Sequence, residues 1–174
     1  MTVTAKPFGP IPPEFAALEA LPWLDVSTPA YVYDFAVIEA RIRHLRAALP
    51  ARVGVHYAIK ANPFPPLLAR IAPLVDGLDI ASAGEMARAL DVMPPQAISF
   101  AGPGKRDAEL EAAIRAGVTL NLESFAEGQR ALAIGKAIER TPKLAVRVNP
   151  DFELRGSGMK MGRSEEHTSE LQSH

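Results

Sequence analysis

Val53-Gly54-Val55-His56-Tyr57-Ala58-Ile59-Lys60-Ala61-Asn62 reads as one β-strand that ends in a lysine, followed by a turn. Side chains alternate along a strand. Val53, Val55, Tyr57 and Ile59 therefore make a bulky face, and Gly54, His56, Ala58 and Lys60 make the other. Such a strand suits a β/α barrel, where the bulky face packs on helices and the small face leaves room inside for a ligand. The lysine has two readings. It is an interior ion-pair partner, or it is a Schiff-base lysine whose amine, freed by burial, attacks a carbonyl.

Outward from this stretch the chain repeats a strand-then-helix unit. Helix Pro65–Ala72 leads to strand Leu78–Ala81, and helix Gly84–Leu90 to strand Ala97–Ala101. Helix Arg106–Ala116 leads to strand Val118–Glu123, and helix Ser124–Glu139 to strand Lys143–Asn149. A repeat of roughly 20–25 residues is typical of successive βα units with right-handed crossovers. In each strand the large apolar side chains share one face: Leu78 and Ile80; Ile98 and Phe100; Val118, Leu120 and Leu122; Leu144, Val146 and Val148. A doubly wound sheet, buried on both sides, would read as continuous apolar runs. The pattern predicts an α/β fold, a partial TIM-type (β/α)8 barrel with about five of the eight units. Lys60, Asp79, Glu123, Arg147 and Asn149 would point inward, several near strand C-termini, where barrel active sites lie.

Before the lysine strand, residues 1–36 read as a proline-rich arm with one short helix near Glu14–Ala20 and a short strand at Tyr31-Val32-Tyr33. Asp34 is placed to cap a helix through Ala48, which Pro50 stops. Residues 37–162 would form the incomplete barrel. Residues 163–174 hold one apolar residue in twelve and no periodicity, and read as a disordered or non-native tail. That tail resembles translated adapter sequence at the end of a misassembled gene.

The 174 residues are 48% hydrophobic and 22% charged, with a formal net charge of -1. No basic patch suggests nucleic acid, and no apolar run approaches a membrane span. The absence of cysteine excludes thiolate catalysis and Cys-ligated metals within the chain and, weakly, favours a cytoplasmic location. His167 and His174 lie on no rigid element, so no metal site is predicted. Gly102-Pro103-Gly104-Lys105-Arg106 fails as a phosphate loop, because Ser99 stands where a glycine is needed and Arg106 where Ser or Thr is needed. It reads as a βα turn. Gly156-Ser157-Gly158 lacks a following helix, and His56 reads as a satisfied interior histidine. Asp76 and Asp79 are too loosely placed for a paired acid and base.

Tyr57-Ala58-Ile59-Lys60-Ala61-Asn62 resembles the lysine motif of the fold-type III pyridoxal-phosphate enzymes, the diaminopimelate, ornithine and arginine decarboxylases together with alanine racemase. The resemblance runs from about Thr28 to Gly162. It includes Thr28-Pro29-Ala30-Tyr31-Val32-Tyr33-Asp34, Gly77-Leu78-Asp79-Ile80-Ala81-Ser82-Ala83-Gly84-Glu85 and Ala145-Val146-Arg147-Val148-Asn149-Pro150. Asn62-Pro63 is similar to the decarboxylases more than to the racemases. Lys6-Pro7-Phe8-Gly9, Ile98-Ser99-Phe100-Ala101-Gly102-Pro103-Gly104-Lys105 and the stretch Asp151–Gly162 resemble the decarboxylase-like subgroup associated with exosortase A systems in bacteria.

The resemblance implies an alanine racemase-like barrel domain, pyridoxal 5'-phosphate as cofactor and a small amino acid as substrate. Lys60 would be the catalytic lysine that holds the cofactor as a Schiff base, Asp79 would orient it, and Arg147 would approach the cofactor. Ser82 and Glu85 would support them. The family's later phosphate loop, pyridinium partner and C-terminal β-domain, which completes the site across a homodimer, have no counterpart here. The chain is thus expected to be the C-terminally truncated N-terminal part of a decarboxylase (a lyase). A related racemase or a non-catalytic barrel fragment is the alternative.

Overall fold

The computed structural model describes residues 31–148. The chain divides into two compact units, Met1–Val53 and Gly54–His174. The expected helix at Glu14–Ala20, Asn149, the 151–162 stretch and the 163–174 tail lie outside the described residues.

In the first unit, α1 spans Phe35–Ala48. Asp34 caps it as expected, its Oδ1 accepting from the N–H groups of Ala36 (2.8 Å) and Val37 (3.4 Å). Leu49 is extended and precedes Pro50, which disfavours helical backbone in the residue before it. The strand expected at Tyr31–Tyr33 is not formed. These residues join no ladder among the described ones, and the two tyrosine rings stack on each other at 6.4 Å. High β-propensity does not make a strand without a neighbour to complete its hydrogen bonds.

The second unit is a parallel sheet of five strands, in the order β1-β2-β3-β4-β5. These are β1 His56–Ala58, β2 Gly77–Ile80, β3 Ile98–Phe100, β4 Thr119–Leu122 and β5 Lys143–Val146. Four helices alternate with them: α2 Pro65–Ile71, α3 Ala83–Leu90, α4 Asp107–Ala116 and α5 Phe125–Ala137. Spatial order equals chain order throughout, as in a β/α barrel; a doubly wound sheet reverses at a switch point. The expected α/β partial barrel is therefore the observed fold. Gly117 ends α4 at φ 81°, and its N–H returns to the carbonyls of Ala113 and Ile114.

The predicted inside and outside faces of β2, β3 and β4 are observed. Leu78, Ile80, Ile98, Phe100 and Leu120 are buried in one cluster with Leu68, Met86, Leu110 and Ala131 of α2 to α5. Each such side chain contributes about 1.5–3 kcal/mol on burial. The fifth strand differs. Val146 is 74% and Val148 79% exposed, so the expected helix-packed face of β5 is bare among the described residues. No described helix is long and apolar enough to cross a membrane.

Candidate active site

The lysine strand is shorter than its alternation suggests. Only His56–Ala58 pair with β2, in the register His56↔Gly77, Tyr57↔Leu78, Ala58↔Asp79. Asp76 accounts for the early part: its Oδ2 accepts from Val55 N–H at 2.7 Å, and its own N–H donates to Val55 O at 2.8 Å. Ile59–Ala61 then tighten into a 3₁₀ turn. Lys60 thus stands not on the strand but in the turn at its C-terminal end, and it is exposed rather than interior.

That turn is anchored on both sides. Ile59 is fully buried beneath it. The Tyr57 hydroxyl donates to Asn62 O at 3.2 Å, and Phe64 N–H donates to Asn62 Oδ1 at 3.0 Å. Asn62 is extended, as the residue before a proline prefers. Between these anchors Lys60 has no hydrogen-bond or ion-pair partner among the described residues. Neither the interior ion pair nor the burial expected to free the Lys60 amine is found among the described residues.

The polar residues alternating with the core side chains meet across neighbouring strands. His56 Nδ1 lies 3.1 Å from Asp79 Oδ1, and a carboxylate only accepts, so the contact puts a hydrogen on Nδ1. A Cβ on Gly77 would fall 2.5 Å from His56 Cε1 and 2.5 Å from Ala97 O, so only glycine leaves room for this imidazole. Asn121 Nδ2 donates to Ser99 Oγ. Arg147 Nη1 binds Glu123 at 3.2 Å (Oε1) and 3.1 Å (Oε2). The structure gives Asp79 to His56 and Arg147 to Glu123. His56 is 40% and Asp79 47% exposed, so neither is the sequestered interior group the alternation suggested for His56.

Glutamates at the third position of three helices lace the C-terminal rim. Glu85 Oε2 accepts from Ala81 N–H (2.7 Å), and Glu127 Oε2 from Glu123 N–H (2.9 Å). Ser82 and Ser124 complete the exchange, each accepting from the N–H of its glutamate at 3.2 Å. Glu109 accepts from Arg106 N–H and from Ala83 N–H, both at 3.1 Å, so it ties the start of α4 to the start of α3. The Arg106 N–H bond, then the Ala83 N–H bond, hold the Glu109 carboxyl below the ordinary carboxylate range.

The turn after β3 is a plain βα turn, as expected, but its lysine is not ordinary. The Lys105 side chain is 2% exposed. Its Nζ donates to Gly102 O (2.7 Å), Asn121 O (2.7 Å) and Glu127 Oε1 (3.1 Å). Sequence reasoning missed both Lys105 and Glu127. The one available signal was the Ser124-x-x-Glu127 spacing of a capping box, which places the glutamate but not the partner of its second oxygen. A shallow depression along α1, lined by Asp34, Val37, Arg41 and His44 among others, belongs to the first unit and carries no lysine.

A pyridoxal-type aldehyde needs an accessible primary amine, and the exposed, unpartnered Lys60 fits that end of the group. Residues 35–168 match the family described as pyridoxal-dependent decarboxylase, pyridoxal binding domain. The 2-[(L-alanin-3-ylcarbamoyl)methyl]-2-hydroxybutanedioate decarboxylase of Staphylococcus aureus is 38% identical over 120 residues, 68% of this chain and 30% of that protein. The diaminopimelate decarboxylase of Zymomonas mobilis is 34% identical over 132 residues, 72% of this chain and 31% of that protein. Diaminopimelate decarboxylase from Helicobacter pylori, complexed with L-lysine, superposes with a TM-score of 0.70 at 33% identity, covering 75% of this chain and 34% of that one. The chain spans about a third of the length of these relatives.

Proposed function

Because this chain belongs to the family of pyridoxal-dependent decarboxylases, through their pyridoxal-binding domain, we propose that it is the N-terminal part of an amino-acid decarboxylase in which Lys60 bonds pyridoxal 5'-phosphate. The observation that carries this reading is the state of Lys60, an exposed amine with no partner among the described residues, on an anchored turn at the C-terminal end of β1. When bound, the cofactor draws off the electron pair that departing carbon dioxide leaves behind.

The chain's own residues supply the setting. Ile59 and the Tyr57–Asn62 bond hold the backbone of the Lys60 turn at the C-terminal end of β1. Asp79, one strand over and paired in register with Ala58, carries negative charge on the side of the sheet opposite the core, steadied by His56. Arg147 keeps a half-exposed guanidinium after β5, steadied by Glu123. In this reading Asp79 and Arg147 face the cofactor and Lys60 is the catalytic residue.

The subgroup we favour is the exosortase A-associated one, on the resemblance of the stretches Ile98–Lys105 and Asp151–Gly162. The coverage of a third of each relative supports a longer protein, which would act as a homodimer on a small amino acid. Lack of cysteine is the support for a cytoplasmic location.

Borohydride reduction of the protein with pyridoxal 5'-phosphate, followed by peptide mass mapping, tests the assignment. The pyridoxyl group should appear on Lys60. Reproducible labelling of Lys105 or Lys136 in its place would overturn it. Carbon dioxide release by the whole gene product, from a panel of diaminopimelate and basic amino acids, tests the reaction.

A further inference from the structure

Lys105 and Glu127 form the buried charged pair among the described residues. Sequestering two charges carries a large desolvation penalty, and such a pair is a poor source of stability. What it provides here is geometry. An ammonium has three donors, and Lys105 uses all three, on the turn after β3 (Gly102 O), on β4 (Asn121 O) and on α5 (Glu127). The charge also sits 5.7 Å from the centre of the Phe100 ring.

Two routes run from this ammonium to one carboxylate. Lys105 holds Glu127, whose other oxygen accepts from Glu123 N–H at 2.9 Å. Lys105 also holds Gly102 O, and Gly102 N–H donates to Glu123 Oε1 at 2.8 Å. Both the backbone and the side chain of Glu123 are thereby fixed, and Glu123 binds Arg147. We infer that Lys105 is a positioning residue. It sets Glu123 and, through Glu123, the guanidinium of Arg147 at the rim where Lys60 stands. For its cofactor half this inference rests on the proposed function.

The test has two arms. In native-state amide exchange on the full chain, Lys105→Met should speed exchange at Gly102, Glu123 and Arg147 by about tenfold more than at Met86 in α3. A purely structural lysine would speed all of them alike, and that result would overturn the inference. If Lys105→Met strands Glu127 and unfolds the chain, Lys105→Met combined with Glu127→Gln removes both charges together. That variant should fold and show the same local pattern, and uniform exchange in it would equally sink the idea. In the second arm, titration of the whole gene product with pyridoxal 5'-phosphate should show Lys105→Met and Arg147→Met each weakening binding by about tenfold, with the double variant no weaker than either. Multiplying effects would show that Lys105 does not act through Arg147. Failure of Lys60 to take the pyridoxyl label would end the proposed function, while the exchange arm would still decide the role of Lys105.

Discussion

Replacing Lys60 by alanine removes an amine and almost no packing, because the side chain is exposed and has no partner among the described residues, while Ile59 beside it stays buried. Lys60→Ala should abolish the absorbance band of bound cofactor while shifting unfolding by no more than about 0.5 kcal/mol. Lys60→Arg should not restore the band, since a guanidinium cannot take the amine's place in the covalent bond. Glu109 gives a different signal. Its folded pKa lies below the ordinary value, so an acid proton binds the unfolded chain more readily. The stability it contributes is complete above the unfolded pKa, about 4.3, and is lost as pH falls through the folded one. Urea unfolding should therefore find Glu109→Gln weaker by about 1 kcal/mol at neutral pH, with the difference closing on acidification. A gap that stays constant into acid would mean that the backbone N–H bonds do not favour the ionised form. At this scale the motif singled out Lys60, but strand alternation misplaced it, since it stands exposed in the 3₁₀ turn after β1 and not on an inward strand face. Lys105 was not singled out, because two of its three partners lie 16 and 22 residues away and two of the three are backbone carbonyls, which carry no sequence signature.

Elements were legible where side chains alternate against a packed face, and less so where pairing depends on a neighbour. β2, β3 and β4 each have two neighbours, and the large side chains they bury, Leu78, Ile80, Ile98, Phe100 and Leu120, are among those that alternation predicts. Among the described residues β1 has one, and Asp76 takes up Val55 before the ladder begins, so Val53, Gly54 and Val55, read as strand, fall outside it. Tyr31–Tyr33 has β-propensity and no ladder among the described residues. The two faces of the sheet should respond differently to truncation. Ile98→Ala removes a fully packed side chain and should cost about 2–5 kcal/mol in chemical denaturation, with little effect on cofactor affinity once folded. Asp79→Ala removes a half-exposed carboxylate from the other face, and should weaken cofactor binding while moving stability by less than about 1 kcal/mol. Unfolding by Asp79→Ala with binding intact would mean that the faces have been assigned backwards.

Among the described residues the decisive large-scale feature is an open sheet. Among the described residues β1 pairs only with β2 and β5 only with β4, so each presents one row of unpaired backbone groups. Unprotected edges of this kind invite pairing between chains. On β5 the hazard is compounded, because Leu144, Val146 and the following Val148 are exposed beside the edge, with Leu132 of α5 also exposed. Apolar side chains exposed on an edge strand favour association. The 174-residue chain expressed alone should therefore sediment as a concentration-dependent mixture. Val146→Lys should shift it toward monomer, since it places a charge on the edge strand without disturbing the buried cluster, to which Val146 does not belong. The same chain should release no carbon dioxide from basic amino acids even when Lys60 takes the pyridoxyl label. In the proposed reading one amine, one carboxylate and one arginine would hold the aldehyde end of the cofactor, but phosphate binding in such barrels falls to the last strands of eight, beyond the five described here. A monodisperse monomer with an unchanged sedimentation profile in Val146→Lys would show that the β5 face is covered in solution. Tight cofactor binding with turnover would show that these five units suffice for the chemistry.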